Sequence, residues 1–129
     1  VEGETLESAI GKQWYRLYEN NPKLQAFAVI KNSEVVWQTD NWNLVDDVNE
    51  LLKAHESSSS KISAGGLRYK KVARTEDTFV ATAEKDEGHL LLARVENSIW
   101  VVAWADSSAV PELALIDLQR TAIVLRGNS

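Results

Sequence analysis

Four strand-like segments crowd the second half of this chain. Residues 67–75, 78–84, 89–96 and 99–105 are separated only by Glu76-Asp77, by residues 85–88 and by Asn97-Ser98. Parallel strands need a crossover of about a dozen residues or more, so links this short force antiparallel neighbours. In the last segment both alternate sets are apolar: Ile99, Val101 and Ala103 on one side, Trp100, Val102 and Trp104 on the other. A strand with two apolar faces must be covered on both. Residues 24–30 have the same character, which places these two strands in the interior of the sheet. They lead into residues 34–40 through Asn32-Ser33, a two-residue hairpin signal.

Helical periodicity marks the remainder. In residues 5–20, Leu6, Ile10, Trp14 and Leu17 form one stripe, and Asn20-Asn21-Pro22 stops it. A second helix fits residues 43–56, with Leu44, Val48, Leu51, Leu52 and His55 on one face. A third fits 111–126. It has Pro111 at its first turn, a stripe of Leu115, Leu118, Ala122 and Leu125, and Gly127 beyond its end. Ser57–Ser60 reads as a linker that Ala64-Gly65-Gly66 extends. The order is α-β-β-α-β-β-β-β-α. The expected fold is therefore α+β: one antiparallel sheet of about six strands, with the N- and C-terminal helices on one face and the middle helix on the other. At 129 residues the chain is expected to be one domain, residues 1–129.

Composition removes much of the usual chemistry. There is no cysteine, so disulfides, thiolate metal sites and cysteine nucleophiles are excluded. Histidine occurs only twice, at His55 and His89. His89, opening a strand after Gly88, reads as a surface or edge residue, and His55 as a helix-end residue. Asp46-Asp47 are adjacent on a helix, so their carboxylates diverge by about 100° and cannot act as a facing pair. Gly65-Gly66 carries neither phosphate-binding glycine pattern. These residues point to no enzyme, no metal and no cofactor. The net charge of −5 disfavours nucleic acid and anionic membranes as partners. The apolar runs are too short to span a bilayer. Acidic first residues (Glu2, Glu4, Glu7) have the wrong sign for a signal or transit peptide, so a cytoplasmic protein is expected.

Two features suit a binding protein. The first is aromatic: five Trp and three Tyr against two Phe. Trp14 and Tyr18 share a helix face, and Trp37 and Trp42 flank a polar stretch after the first hairpin. Trp14, Trp100 and Trp104 also fit helix-on-sheet packing. Trp14, Tyr18, Trp37 and Trp42 would form a shelf for a proline-rich peptide, whose polyproline II form docks on flat rings with little further ordering. The second is Arg68-Tyr69-Lys70-Lys71-Val72-Ala73-Arg74, with four cations on one strand of an acidic protein. Strict alternation puts Arg68, Lys70 and Arg74 on one face and Tyr69 and Lys71 on the other. Such a strand is either an edge kept soluble by charge or a dock for an acidic partner.

Against this element order, specific residues resemble the profilin superfamily, taken broadly to include roadblock domains. They are the aromatic N-terminal helix from Trp14 to Tyr18, Val36-Trp37 after the hairpin, Gly65-Gly66-Leu67-Arg68-Tyr69 at a strand start, and Pro111 leading into a helix with Gln119-Arg120. Four strands after the middle helix, rather than the three of roadblock domains, favour profilin. The resemblance implies an actin-family partner, bound through the later strands and the start of the last helix; Lys71, Arg74, Lys85 and His89 lie in the matching region. It also implies proline-rich peptides bound by aromatics of both terminal helices and the hairpin tryptophan. Here residues 111–129 contain no aromatic, so half of that shelf is missing. A profilin would be a monomer. The alternative, a roadblock-type module, would be a homodimeric scaffold or regulator of a small GTPase.

Overall fold

The computed structural model describes residues 6–39, 48–57, 61–64, 67–83, 88–96 and 99–126. Its elements are α1 (Leu6–Asn20), β1 (Leu24–Lys31), β2 (Glu34–Gln38), α2 (Val48–Ser57), β3 (Lys61–Ala64), β4 (Leu67–Arg74), β5 (Thr78–Ala83), β6 (His89–Glu96), β7 (Ile99–Ala105) and α3 (Pro111–Arg126). The strands form one antiparallel sheet in the order β2-β1-β7-β6-β5-β4-β3.

The apolar patterns account for this order. β1 and β7 lie inside the sheet, paired along almost their whole length. Phe27, Val29, Val101 and Ala103 point to one face, where they pack with Ile10 and Leu17 of α1 and Ala114, Leu118, Ala122 and Leu125 of α3. Ala28, Ile30, Trp100 and Val102 point to the other, under Val48 and Leu51 of α2. Two cores thus share one sheet, with the terminal helices on one side and the middle helix on the other. The Asn32-Ser33 turn has φ of 52° and 66°, the left-handed pair of a type I′ hairpin turn.

Two expectations need correction. The sheet has seven strands, because Lys61–Ala64, which falls where a linker is expected, pairs with β4 from Lys61↔Lys70 to Ala64↔Leu67. Ile62 is its buried anchor, at 6% exposure. Five strands therefore follow α2, one more than expected. The middle helix begins in the described residues at Val48; positions 43–47 lie outside them. Strict alternation along β4 also fails. The register shifts between Lys71 and Ala73, leaving Val72 as an extra residue. Lys71 pairs with Ala81 and Arg74 with Phe79, both in the core under α2. The bulge therefore moves Arg74 off the face of Lys70 and onto that of Tyr69 and Lys71.

Candidate functional site

An aromatic groove lies between α1 and the first hairpin. Beneath its lining lies Phe27, fully buried on β1. Trp14 stacks on Phe27 with ring centroids 5.7 Å apart and planes 14° apart. Trp37 meets Phe27 edge-on at 6.0 Å. Tyr18, one helical turn from Trp14, tilts against it at 5.6 Å. Helical spacing sets the Trp14–Tyr18 pair, and Val29↔Trp37 pairing sets the hairpin indole. These contacts hold the rings at the rim of an open groove of about 560 Å³. Trp14, Tyr15, Tyr18 and Trp37 give it aromatic walls, Gln25, Gln38 and Thr39 add polar groups, and Gly11 leaves part of the helix wall bare. Tyr15 is 71% exposed.

Hydrogen bonds fix the polar side. Phe27 N donates to Thr39 Oγ1 at 3.3 Å, and Thr39 N donates to the Phe27 carbonyl at 2.9 Å. Gln25 Nε2 donates to Asp106 Oδ2 at 3.3 Å. The other carboxylate oxygen of Asp106 accepts from Ser108 N at 2.8 Å and from Ser107 Oγ at 3.4 Å. The Ser108 amide is the main reason the Asp106 carboxyl titrates below its ordinary value; the Ser108 and Ser107 side chains and Lys23 add to it, against a desolvation penalty. Asp106 thus ties the groove wall to the turn that opens α3.

Of the four shelf candidates, the structure brings together Trp14, Tyr18 and Trp37; Trp42 lies outside the described residues. No residue of α3 lines the groove, in keeping with its lack of aromatics. Sequence reasoning missed Tyr15, which follows Trp14, and Phe27, which hides in an apolar run.

The second surface is on β4. Lys71 is half-buried, while Val72 and Arg74 are exposed. Because β3 pairs only as far as Lys70, the stretch from Lys71 to Arg74 is sheet edge among the described residues. The adjoining β4–β5 turn is pinned by Arg94 of β6. Its amide donates to the Asp77 carbonyl at 2.8 Å and its Nη2 to the Glu76 carbonyl at 3.2 Å. Its guanidinium lies 4.9 Å from the Trp100 ring centroid and 3.6 Å from the Asp77 carboxylate. The expectation of a surface or edge position for His89 is wrong: it is buried on β6, the middle strand, where its Nδ1 shares a 2.9 Å hydrogen bond with Thr82 Oγ1. It sits on the terminal-helix side of the sheet, opposite Lys71 and Arg74. Lys85 lies outside the described residues.

α3 adds an unforeseen feature. Leu113, Ile116, Ile123 and Val124 are all exposed on it, as is Val110 just before it. Of the expected stripe, Leu118, Ala122 and Leu125 are buried and Leu115 is half-buried, with Ala114 completing the inner side, so α3 is apolar on its outer side as well. The leftover aliphatics in the sequence were the available signal. Among the described residues, no group of three or more His, Asp or Glu is placed to hold a metal ion. No described helix is long and apolar enough to cross a membrane.

No family model matches the chain. It is 36% identical over 107 residues to Thor profilin from Thorarchaeota archaeon (strain AB_25), covering 81% of this chain and 84% of that protein. It is 29% identical over 107 residues to Loki profilin-2 from Lokiarchaeum sp. (strain GC14_75), covering 75% and 80%. The fold matches a Lokiarchaeal profilin 2 solved in complex with rabbit actin, with a TM-score of 0.85, 23% identity, and coverage of 92% of this chain and 96% of that one. The two-core sheet, the element order and the identity to Thor profilin agree: this chain belongs to the profilin family.

Proposed function

We propose that this protein is a non-enzymatic, cytoplasmic binder of actin-family monomers that also holds proline-rich segments in its aromatic groove. It needs no cofactor. The carrying observation is the outer side of α3 and its approach, where Val110, Leu113 and Ile116 stay exposed on a helix whose other side is already in the core. A helix apolar on both sides is built to be covered twice. The bulged edge of β4 supplies Val72 as a further apolar contact, and Lys71 and Arg74, which leave the sheet on the α2 side rather than the α3 side, would reach an acidic partner only around that edge. Charge of this kind orients docking and speeds encounter. His89 and Thr82 would support the strand surface between them, and Lys85 belongs to the same region of the chain. The match to a relative solved with rabbit actin supports the same reading.

Binding one monomer per chain would change which monomer surfaces can add to a filament. The groove would bring the chain to proline-rich proteins, its rings meeting the peptide's apolar ridges and its amide side chains the peptide carbonyls.

A polymerisation assay with pyrene-labelled rabbit actin, or a cognate archaeal homologue, tests this. Slowed nucleation and a one-to-one complex in sedimentation are expected. The double variant Lys71→Glu/Arg74→Glu should weaken the complex by about tenfold, with a smaller salt dependence and an unchanged melting temperature. Unchanged polymerisation together with no complex would sink the actin reading.

A further inference from the structure

We propose that Gly11 is a specificity-determining residue of the aromatic groove, leaving helix backbone bare so that a proline-rich segment can lie directly against α1. This rests on the proposed reading of the groove as a proline-rich site. Gly11 is the sixth residue of a fifteen-residue helix. In that position only proline is a worse helix former. Two ordinary reasons for a glycine are absent. Its backbone does not have the positive φ that Gly88 has. A Cβ built on it would meet nothing within 4 Å, so no neighbour in this chain needs the space.

The space opens instead into the groove, which Gly11 lines together with Trp14, Tyr15 and Tyr18. These positions are i, i+3, i+4 and i+7, one face of the helix. Gly11 to Tyr18 spans about 10 Å along the axis. A polyproline II segment rises about 3.1 Å per residue, so three residues of ligand fit that length. Its carbonyls make no internal hydrogen bonds and would face Gln25, Gln38 and Thr39 on the opposite wall. Any side chain at position 11 stands in the ligand's path, at the end of the groove away from Tyr18.

The test is titration of the whole protein with a deca-proline peptide, followed by Trp fluorescence and calorimetry. The variants are Gly11→Ala, Gly11→Leu and the control Arg16→Leu, which places the same side chain at a residue outside the groove lining. Gly11→Ala should raise Tm by about 3 °C and yet weaken the peptide by about fivefold, the loss expected from one misplaced methyl group. Gly11→Leu should abolish binding while the circular dichroism stays native, and Arg16→Leu should leave affinity within about twofold. If the wild-type protein ignores the peptide at millimolar concentration, the groove reading and this inference fall together. If it binds and both Gly11 variants bind equally well, the role of Gly11 is overturned and the groove reading stands.

Discussion

Replacing Gly88 by alanine should be among the most damaging single-methyl changes available to this fold, and the damage should divide into two separable parts. Gly88 immediately precedes β6 and accepts a 2.8 Å hydrogen bond from Ala83 N, closing the β5–β6 connection. Its φ is 138°, a conformation nearly reserved for glycine. An L-residue forced there costs about 1–3 kcal/mol. The added Cβ would also lie 2.6 Å from the Cε2, Cζ2 and Nε1 atoms of Trp104. That ring is half-buried, packed on the core under α2, so it cannot swing away freely. Overpacking of this kind costs about 1–3 kcal/mol. The sum, about 2–6 kcal/mol, is a large share of the roughly 5–15 kcal/mol that usually separates folded from unfolded domains.

A double-mutant cycle separates the two parts. Urea denaturation is measured for wild type, Gly88→Ala, Trp104→Leu and the double variant. In the Trp104→Leu background the ring obstacle is gone and the φ strain remains. The loss caused by Gly88→Ala should therefore be smaller there by about 1–3 kcal/mol than in the wild-type background. Gly88→Ala within about 1 kcal/mol of wild type would refute the backbone argument. Equal losses in both backgrounds would refute the claim that the indole is what the methyl group strikes.

Two further outcomes follow from single contacts. Arg94→Ala removes a hydrogen bond to the Glu76 carbonyl, a 3.6 Å ion pair and a ring contact, so about 1–2 kcal/mol of stability should go. Hydrogen exchange should then speed up at the amides of Asp77 and Thr78; unchanged protection there would remove Arg94 as the pin of the β4–β5 turn. At Asp106 the folded carboxyl is more acidic than the unfolded one, whose ordinary value is 3.8. Its charge therefore stabilises the fold fully above that value, and the contribution is lost as pH falls through the folded pKa. The Tm gap between wild type and Asp106→Asn should be constant from neutral pH to about 5 and shrink below about 4; a gap that persists in acid would contradict the Ser108 amide as its cause.

How much of this was legible depended on whether a residue's role could be expressed locally. Asn32-Ser33 marked a hairpin because a type I′ turn needs positive φ at both central positions, a property local to those two residues. α3 could be bounded at Pro111–Arg126 because its start, stripe and stop are all near-neighbour signals. β3 was invisible for the opposite reason: four residues with one apolar anchor, Ile62, carry no period, and only pairing with β4 makes them a strand. The bulge at Val72 belongs to the same class. It is a property of the β4–β5 register, so alternation read along β4 alone necessarily put Arg74 on the wrong side.

The site divides in the same way, and the division explains its layout. The rings of Trp14 and Tyr18 could be paired from helical spacing, but the residue that joins them to Trp37 is Phe27, an ordinary member of an apolar strand until the three are packed. The sheet order then separates the groove from the charged edge of β4. β1 and β2, which carry Phe27 and Trp37, occupy one end of the sheet, and β4 stands four strands from β1. At about 4.8 Å per strand, that is roughly 19 Å. A peptide seated against α1 and the hairpin therefore leaves Lys71, Val72 and Arg74 uncovered. The pairing of β1 with β7, the last strand, sets this spacing, because it puts β7, β6 and β5 between the first hairpin and β4. The α1–β1–β2 unit forms the groove before α2 is reached, and the β4–β5 hairpin that carries the cations comes after it. One small sheet can in this way present an aromatic groove and a charged edge that do not compete for the same strands.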